Sequence, residues 1–423
     1  MKLVLAHPGV GPFVQQTARA LLEAGLLDSY WTTFVDRPDA RWRNRLVQLA
    51  SQAGWNIEQE FGRRAVQEIP AGLLQHAPFW EIIRSLLARS RADPRLVDLV
   101  WEHGILRFDR GVAKRALRNA AGIYGYEYSA LASFQEAERR GLARVYEVPS
   151  PEHDFVEGVI QREIEQFPDL DDGTRQYFVK RQRRRTARRR KEWALAEVVI
   201  ANSTLTRDSY RSAGLDVSKV RVIPLGAPPI SDENVEGRSG EAGTLRVLYA
   251  GNLSILKGTH HLLAAWRTLA PEKSAILEMF GANRLPHTFT RDLPATIKLS
   301  PNIPRAALSD RYRLADVLVF PTLCDGFGMV VTEALAHGVP VITTSRAGAS
   351  DLVRHGENGL IVPAGDPLAL AEALEWCLSH RTALKAMRRA ALETAAHWQW
   401  SDYRLALSST LIEELNSIGY AAA

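Results

Sequence analysis

The residues best placed to do chemistry lie in Pro321–Ile342, PTLCDGFGMVVTEALAHGVPVI. An apolar run, Val317–Phe320, leads into Asp325-Gly326-Phe327-Gly328, and a helix is predicted from Met329. Gly326 and Gly328 let the backbone turn sharply and approach a ligand closely. A helix N-terminus offers unpaired N–H groups and partial positive charge, which suits a diphosphate. Glu333 falls one turn into that helix, eight residues after Asp325. Its carboxylate can accept two hydroxyl hydrogen bonds, as from a ribose. The plain alternative is an ordinary strand–turn–helix with an acidic cap.

Positioning such groups needs a rigid frame, and the rest of the sequence predicts one. Short apolar runs alternate with helix-length amphipathic segments, the pattern of α/β units on parallel sheets. In the first half, strands are expected at Leu3–Ala6, Gly122–Tyr126, Ala143–Val148, 197–200 and 220–223. Residues 37–118 are rich in helix signals but show no readable order, and 157–195 reads as helical and charged. Residues 226–243, GAPPISDENVEGRSGEAG, have no apolar period and read as a linker. A second alternation follows, with strands at 245–249, 275–280, 296–299, 317–320 and 339–342. The expected architecture is two doubly wound domains, 1–225 and 244–399. A C-terminal helix in 400–423 is free to pack back on the first domain. Ligands of such sheets bind beyond the carboxyl ends of the strands, so the cleft between the domains is the expected site.

Composition narrows the class. The 423 residues are 46% hydrophobic and 24% charged, which excludes a wholly disordered chain. Two cysteines, Cys324 and Cys377, exclude a disulfide framework or a cysteine-clustered zinc site. No apolar run approaches the ~20 residues of a membrane span, and the N-terminal run is too short for a signal peptide. A cytoplasmic protein is expected. The net charge of +5 is concentrated: Lys180–Lys191, KRQRRRTARRRK, carries nine cations in twelve residues.

The Pro321–Ile342 stretch resembles the acid-x7-acid signature of retaining family-4 glycosyltransferases, the group 1 glycosyl transferases. Leu248–Leu263 (LYAGNLSILKGTHHLL), Ala315–Pro321 (ADVLVFP) and His355–Gly365 (HGENGLIVPAG) extend the resemblance strongly through 245–380. His7–Phe13 and Val222–Gly226 extend it loosely into 1–225. The resemblance implies a GT-B fold: two Rossmann-like domains with a nucleotide-sugar donor between them and no bound metal or other cofactor. Carried over by position, Glu333 holds the ribose and Asp325 lies at the reacting centre. Asp325 is one methylene shorter than the usual Glu. Gly326, Phe327, Gly328 and Met329 form the loop and helix start around the donor.

Lys257 matches the diphosphate-binding lysine. A fixed ammonium there stabilises the growing charge on the departing nucleoside diphosphate and can replace a metal. Gly251 and Asn252 sit on the preceding turn, and Asn252 stands where many relatives have Arg. Ile303, in Pro301–Pro304, matches a segment that meets the base through its main chain. Gly11 is the candidate for close backbone approach in the first domain. No histidine occupies the family's usual catalytic position after the fifth strand. His153 is the nearest candidate, and His103 the second. Tyr126 and Glu127, after the fourth strand, are expected to face the cleft on the acceptor side.

The expected activity is hexosyl transfer with retention to a glycan or glycolipid hydroxyl, of the lipopolysaccharide or cell-surface polysaccharide type. Another GT-B enzyme, an epimerase or a phosphorylase, stays open, as does a non-catalytic polyanion-binding protein. The last would act through Lys180–Lys191. Like charges at i,i+4 repel by a few tenths of a kcal/mol per pair, which a polyanion would relieve. Anionic lipid at the inner membrane face is the first expected partner of that run, and nucleic acid is not expected.

Overall fold

A computed structural model describes the chain except residues 37–40, 53–60, 63, 67, 91, 172–174, 231–242, 271–273 and 421–423. Most of the expected linker therefore lies outside the described residues.

The first domain is built on seven parallel strands: β1 (Leu3–Ala6), β2 (Leu27–Thr32), β3 (Leu74–His76), β4 (Gly122–Tyr126), β5 (Ala143–Val148), β6 (Val198–Ala201) and β7 (Val220–Val222). Their spatial order is β3-β2-β1-β4-β5-β6-β7. The second sheet has six parallel strands: β8 (Leu245–Ala250), β9 (Ala275–Phe280), β10 (Ile297–Ser300), β11 (Val317–Phe320), β12 (Val341–Thr344) and β13 (Gly359–Val362), in the order β10-β9-β8-β11-β12-β13. The two orders are the same doubly wound pattern. Each reverses direction at one place, between β1 and β4 and between β8 and β11. The loops that leave these strands must diverge there and open a crevice.

Strands covered by helices on both faces read as continuous apolar runs. β1 (LVLA) and β11 (VLVF) are buried at every residue. β2 (LDSYWT) alternates, β3 has three residues and β13 opens with a glycine, so none of these gives a distinct apolar signal. The charged stretch 157–195 is two helices, His153–Gln166 and Arg175–Leu195. Pro168 opens a 3-10 turn between them, as expected of a residue that cannot continue a helix.

The chain crosses between the domains twice, side by side. Ala227 N–H donates to Trp398 O at 2.8 Å, and Trp400 N–H donates to Ala227 O at 3.1 Å. A Cβ on Gly226 would come within 2.6 Å of the Gln399 backbone, so a glycine is required for the two passes to touch. The helix Trp400–Ser417 then packs on Pro12–Glu23 of the first domain. Tyr403 OH lies 3.0 Å from Thr17 Oγ1, and Arg404 pairs with Glu23 at 2.7 Å.

Candidate active site

The carboxyl ends of the strands converge on a cavity of about 500 Å3. Pro12, Phe13, Pro149, Asn202 and Leu225 wall it from the first domain. Gly251, Lys257, Arg305, Phe320, Asp325, Gly328, Met329 and Glu333 wall it from the second.

Two glycines fix the second-domain wall. After β8 the chain makes a tight turn, with Gly258 N–H donating to Ile255 O at 2.8 Å. Gly258 has φ +62°, and a Cβ there would stand 2.1 Å from Pro321 O. Only glycine lets this turn tuck against the end of β11, which brings Lys257 to Asp325. Lys257 Nζ donates to Asp325 Oδ2, and Phe327 N–H donates to Oδ1 at 3.2 Å. Gly328, at φ +88°, starts the helix Met329–Ala336, and a Cβ there would strike the Phe320 ring at 2.6 Å. The helix start therefore lies against the end of β11, in the cavity wall.

Glu333 is gripped at both oxygens. Arg305 Nη2 donates to Oε1 at 2.7 Å, and Tyr312 OH donates to Oε2 at 3.1 Å. Burial and the Glu333 charge raise the Tyr312 phenol, keeping it a donor. Neither partner was found in the sequence reading, although Arg305 directly follows the Pro301–Pro304 segment. Arg305 also supplies a cleft cation where Asn252 supplies none. Asn252 is exposed and outside the cavity wall, and its carbonyl accepts from Tyr249 OH at 2.8 Å. Ile303 packs partly buried against the core, outside that wall.

Gly326 serves a different purpose from the close ligand approach expected of it. A Cβ on Gly326 would meet Pro149 O at 2.1 Å, in the first domain. Ser203 Oγ, also of the first domain, donates to Gly326 O at 2.7 Å. The absent side chain lets the two domains touch beside Asp325. Gly11 needs no special backbone: its φ is −56° and a Cβ would meet only ordinary contact with Phe13 at 3.4 Å. Its neighbours Pro12 and Phe13, not Gly11, wall the cavity.

The acceptor-side expectations fare differently. Tyr126 does not face the cleft; it is 1% exposed, with its OH donating to Thr17 Oγ1 at 3.0 Å. Glu127 is drawn inward by His153 Nε2 at 2.6 Å and Arg189 at 2.7 Å. Burial would raise its carboxyl, but the charge and hydrogen bond of His153 outweigh this and hold it below the usual range. His153 is fixed on its other side by the Gln182 amide and stands outside the cavity wall. His103 lies on the outer helix Pro94–Arg115 against Trp80, with ring centroids 4.4 Å apart, also outside it. Near the cleft, the sequence reading passed over His7 as a titratable group. Its ring packs on Tyr126 and Phe13, and burial lowers its pKa to about 4, so it is neutral.

The arginine run is not an exposed polycation. Arg181 and Arg185 pair with Asp98 and Glu102, Arg188 with Asp109 and Glu192, Arg189 with Glu127, and Arg190 with Glu152 and Asp154. The guanidiniums of Arg185 and Arg189 also stack over Trp101 and Tyr128, at 4.9 and 4.8 Å. The polyanion that relieves the run is the first domain itself. Lys180, Arg183, Arg184 and Lys191 remain exposed on the outer face.

Residues 244–380 match the family Glycosyl transferases group 1. The chain is similar to a D-inositol 3-phosphate glycosyltransferase of Xylanimonas cellulosilytica, 33% identical over 208 residues, covering 44% of this chain and 49% of the relative. One from Paenarthrobacter aurescens is 28% identical over 240 residues, 51% of this chain and 59% of the relative. The matches thus span about half the length of these curated relatives. Among solved structures, the Anabaena protein HepE in complex with UDP is 16% identical with a TM-score of 0.61, over 97% of this chain and 99% of that one. Sucrose-phosphate synthase from Thermosynechococcus elongatus is 20% identical with a TM-score of 0.62, over 99% and 100%. The fold is GT-B, two Rossmann-like domains across a cleft. The match to the group 1 glycosyltransferases lies within the second domain.

Proposed function

We propose that this chain is a retaining glycosyltransferase that moves a hexosyl group from a nucleoside-diphosphate sugar to an acceptor hydroxyl. The observation that carries the reading is one cleft in which Lys257, the helix start at Met329 and Glu333 share a wall with Asp325. HepE, solved with UDP and with UDP-glucose, has the same fold, which supports a nucleotide-sugar donor.

Each acidic group here is already paired with a cation. Lys257 holds Asp325 and Arg305 holds Glu333. An entering donor exchanges these partners. Lys257 moves to the diphosphate, Asp325 turns to the donor sugar, and Glu333 takes the ribose hydroxyls. Negative charge then builds on the leaving diphosphate, where Lys257 and the helix N-terminus stabilise the transition state more than the ground state. The acceptor hydroxyl attacks from the leaving-group side and passes its proton to the departing phosphate. His153 and Glu127 bind each other and carry no step in this scheme.

The acceptor is a glycan or glycolipid hydroxyl, reached at the inner membrane face with Lys180, Arg183, Arg184 and Lys191 turned to anionic headgroups. The names of the relatives point to an inositol phosphate as the alternative acceptor. The test is nucleoside-diphosphate release from a panel of nucleotide sugars, with glycolipid, oligosaccharide or inositol phosphate added. Acceptor-dependent release from one donor supports the reading. Donor conversion that no acceptor changes, or that requires inorganic phosphate, replaces it with an epimerase or a phosphorylase.

A further inference from the structure

Outside the cleft, the helix His153–Gln166 meets the helix Thr259–Leu269 through three buried polar side chains. The Nε2 atoms of His260 and His261 each lie 2.8 Å from the same atom, Oε2 of Glu163. One ligand atom from each residue falls within 4.8 Å of the others. The histidine side chains are 1% and 3% exposed. Consecutive helical residues point about 100° apart, yet these two rings converge to a centroid spacing of 4.1 Å. Phe167 packs edge-on against both, at 5.4 and 5.6 Å.

As a plain hydrogen-bonded clamp this arrangement is poorly matched. One carboxylate oxygen receives two imidazole N–H groups, and both buried Nδ1 atoms have no partner. We infer that Glu163, His260 and His261 form a binding site for a zinc-class divalent cation. Two imidazoles and a carboxylate are the ligand set of open tetrahedral zinc sites, which keep a fourth position for water. Gly365 lies beside the cluster: a Cβ there would stand 3.7 Å from Glu163 Oε1 and from Leu323 Cδ2, and 3.8 Å from His261 Nε2. Binding at bond lengths of ~2.0–2.1 Å needs the ligand atoms roughly 3.3 Å apart, so Glu163 retracts by about half an ångström.

The site ties a first-domain helix to the helix that begins two residues after Lys257. It departs from the sequence expectation of no metal, and it stands whether or not the cleft transfers sugar. The test uses the full chain stripped with chelator, then titrated with cobalt(II) and separately with zinc. Wild type takes up one cobalt with the visible bands of a four-coordinate ion, and zinc raises its Tm by at least ~2 °C. Glu163→Gln and His261→Gln lose both responses, and their near-ultraviolet circular dichroism in chelator shows whether each folds. Wild type that binds no cobalt, or no more than a folded variant, overturns the site. Cobalt uptake without any zinc-induced Tm rise overturns it as well.

Discussion

The two domains share one strand order but spend their charged residues differently. In the second, few charges meet at the cleft, and each is paired to a partner that a donor could displace: Lys257 with Asp325, Arg305 with Glu333. In the first, the charges are spent inside. Asp109, with its side chain fully buried, accepts from Ala132 N–H, from Ser133 N–H and Oγ, and from Arg188. Glu192 accepts from Tyr128, Ala130 and Leu131 N–H groups and from Tyr146 OH. The same residue types thus build a ligand wall in one domain and a scaffold in the other. Spacing on a strand–loop–helix marks the wall, whereas the scaffold's ion pairs join distant residues such as Asp98 and Arg185, 87 positions apart.

The comparison can be broken by substitution. The largest effect belongs to Lys257→Ala, which should lower kcat for transfer by about 10²- to 10³-fold while leaving Tm near wild type. An intact kcat would remove Lys257 from the reaction. Second comes Arg188→Ala, which should cost about 3 kcal/mol of folding stability because it strips a cation from a buried acid, read from denaturant midpoints. The exposed Arg184→Ala should change stability by less than about 0.5 kcal/mol. Equal losses for the two would deny the inward role of the run.

A smaller effect sharpens the contrast through pH. Burial raises the Glu147 carboxyl from 4.5 to about 7, in a network where Tyr124 OH donates to it at 2.6 Å. A folded-state pKa above the unfolded one means the native state binds the extra proton. Its contribution is full below about 4.5 and is lost as pH rises through 7. Glu147→Gln should therefore gain on wild type by up to about 3 kcal/mol between pH 4.5 and 8. A pH-independent difference would mean that Glu147 stays ionised in the fold.

The second domain was largely legible because its signals are contiguous. Apolar runs such as VLVF mark strands buried on both faces, and the Asp325–Glu333 spacing places an acid one turn into a helix that starts at a glycine. What contiguous reading missed are the partners supplied from elsewhere. Arg305 reaches Glu333 across 28 residues, and Pro149 explains Gly326 from the other domain. In the first domain, Tyr126 sits at the end of β4 as expected, but residues after a strand alternate in direction. The one expected to face the cleft instead joins the buried Thr17 and Tyr403 hydroxyls. The arginine run misled for a related reason: helix periodicity shows which cations share a face, not which acids another helix brings to them.

The most direct measurement is calorimetric titration of UDP, GDP and ADP into wild type, Glu333→Gln and Lys257→Ala. One diphosphate should bind wild type at one site per chain, and its Kd should rise at least tenfold in each variant, roughly 1.4 kcal/mol apiece. Equal affinity in all three proteins, or no binding by any diphosphate, would contradict this expectation.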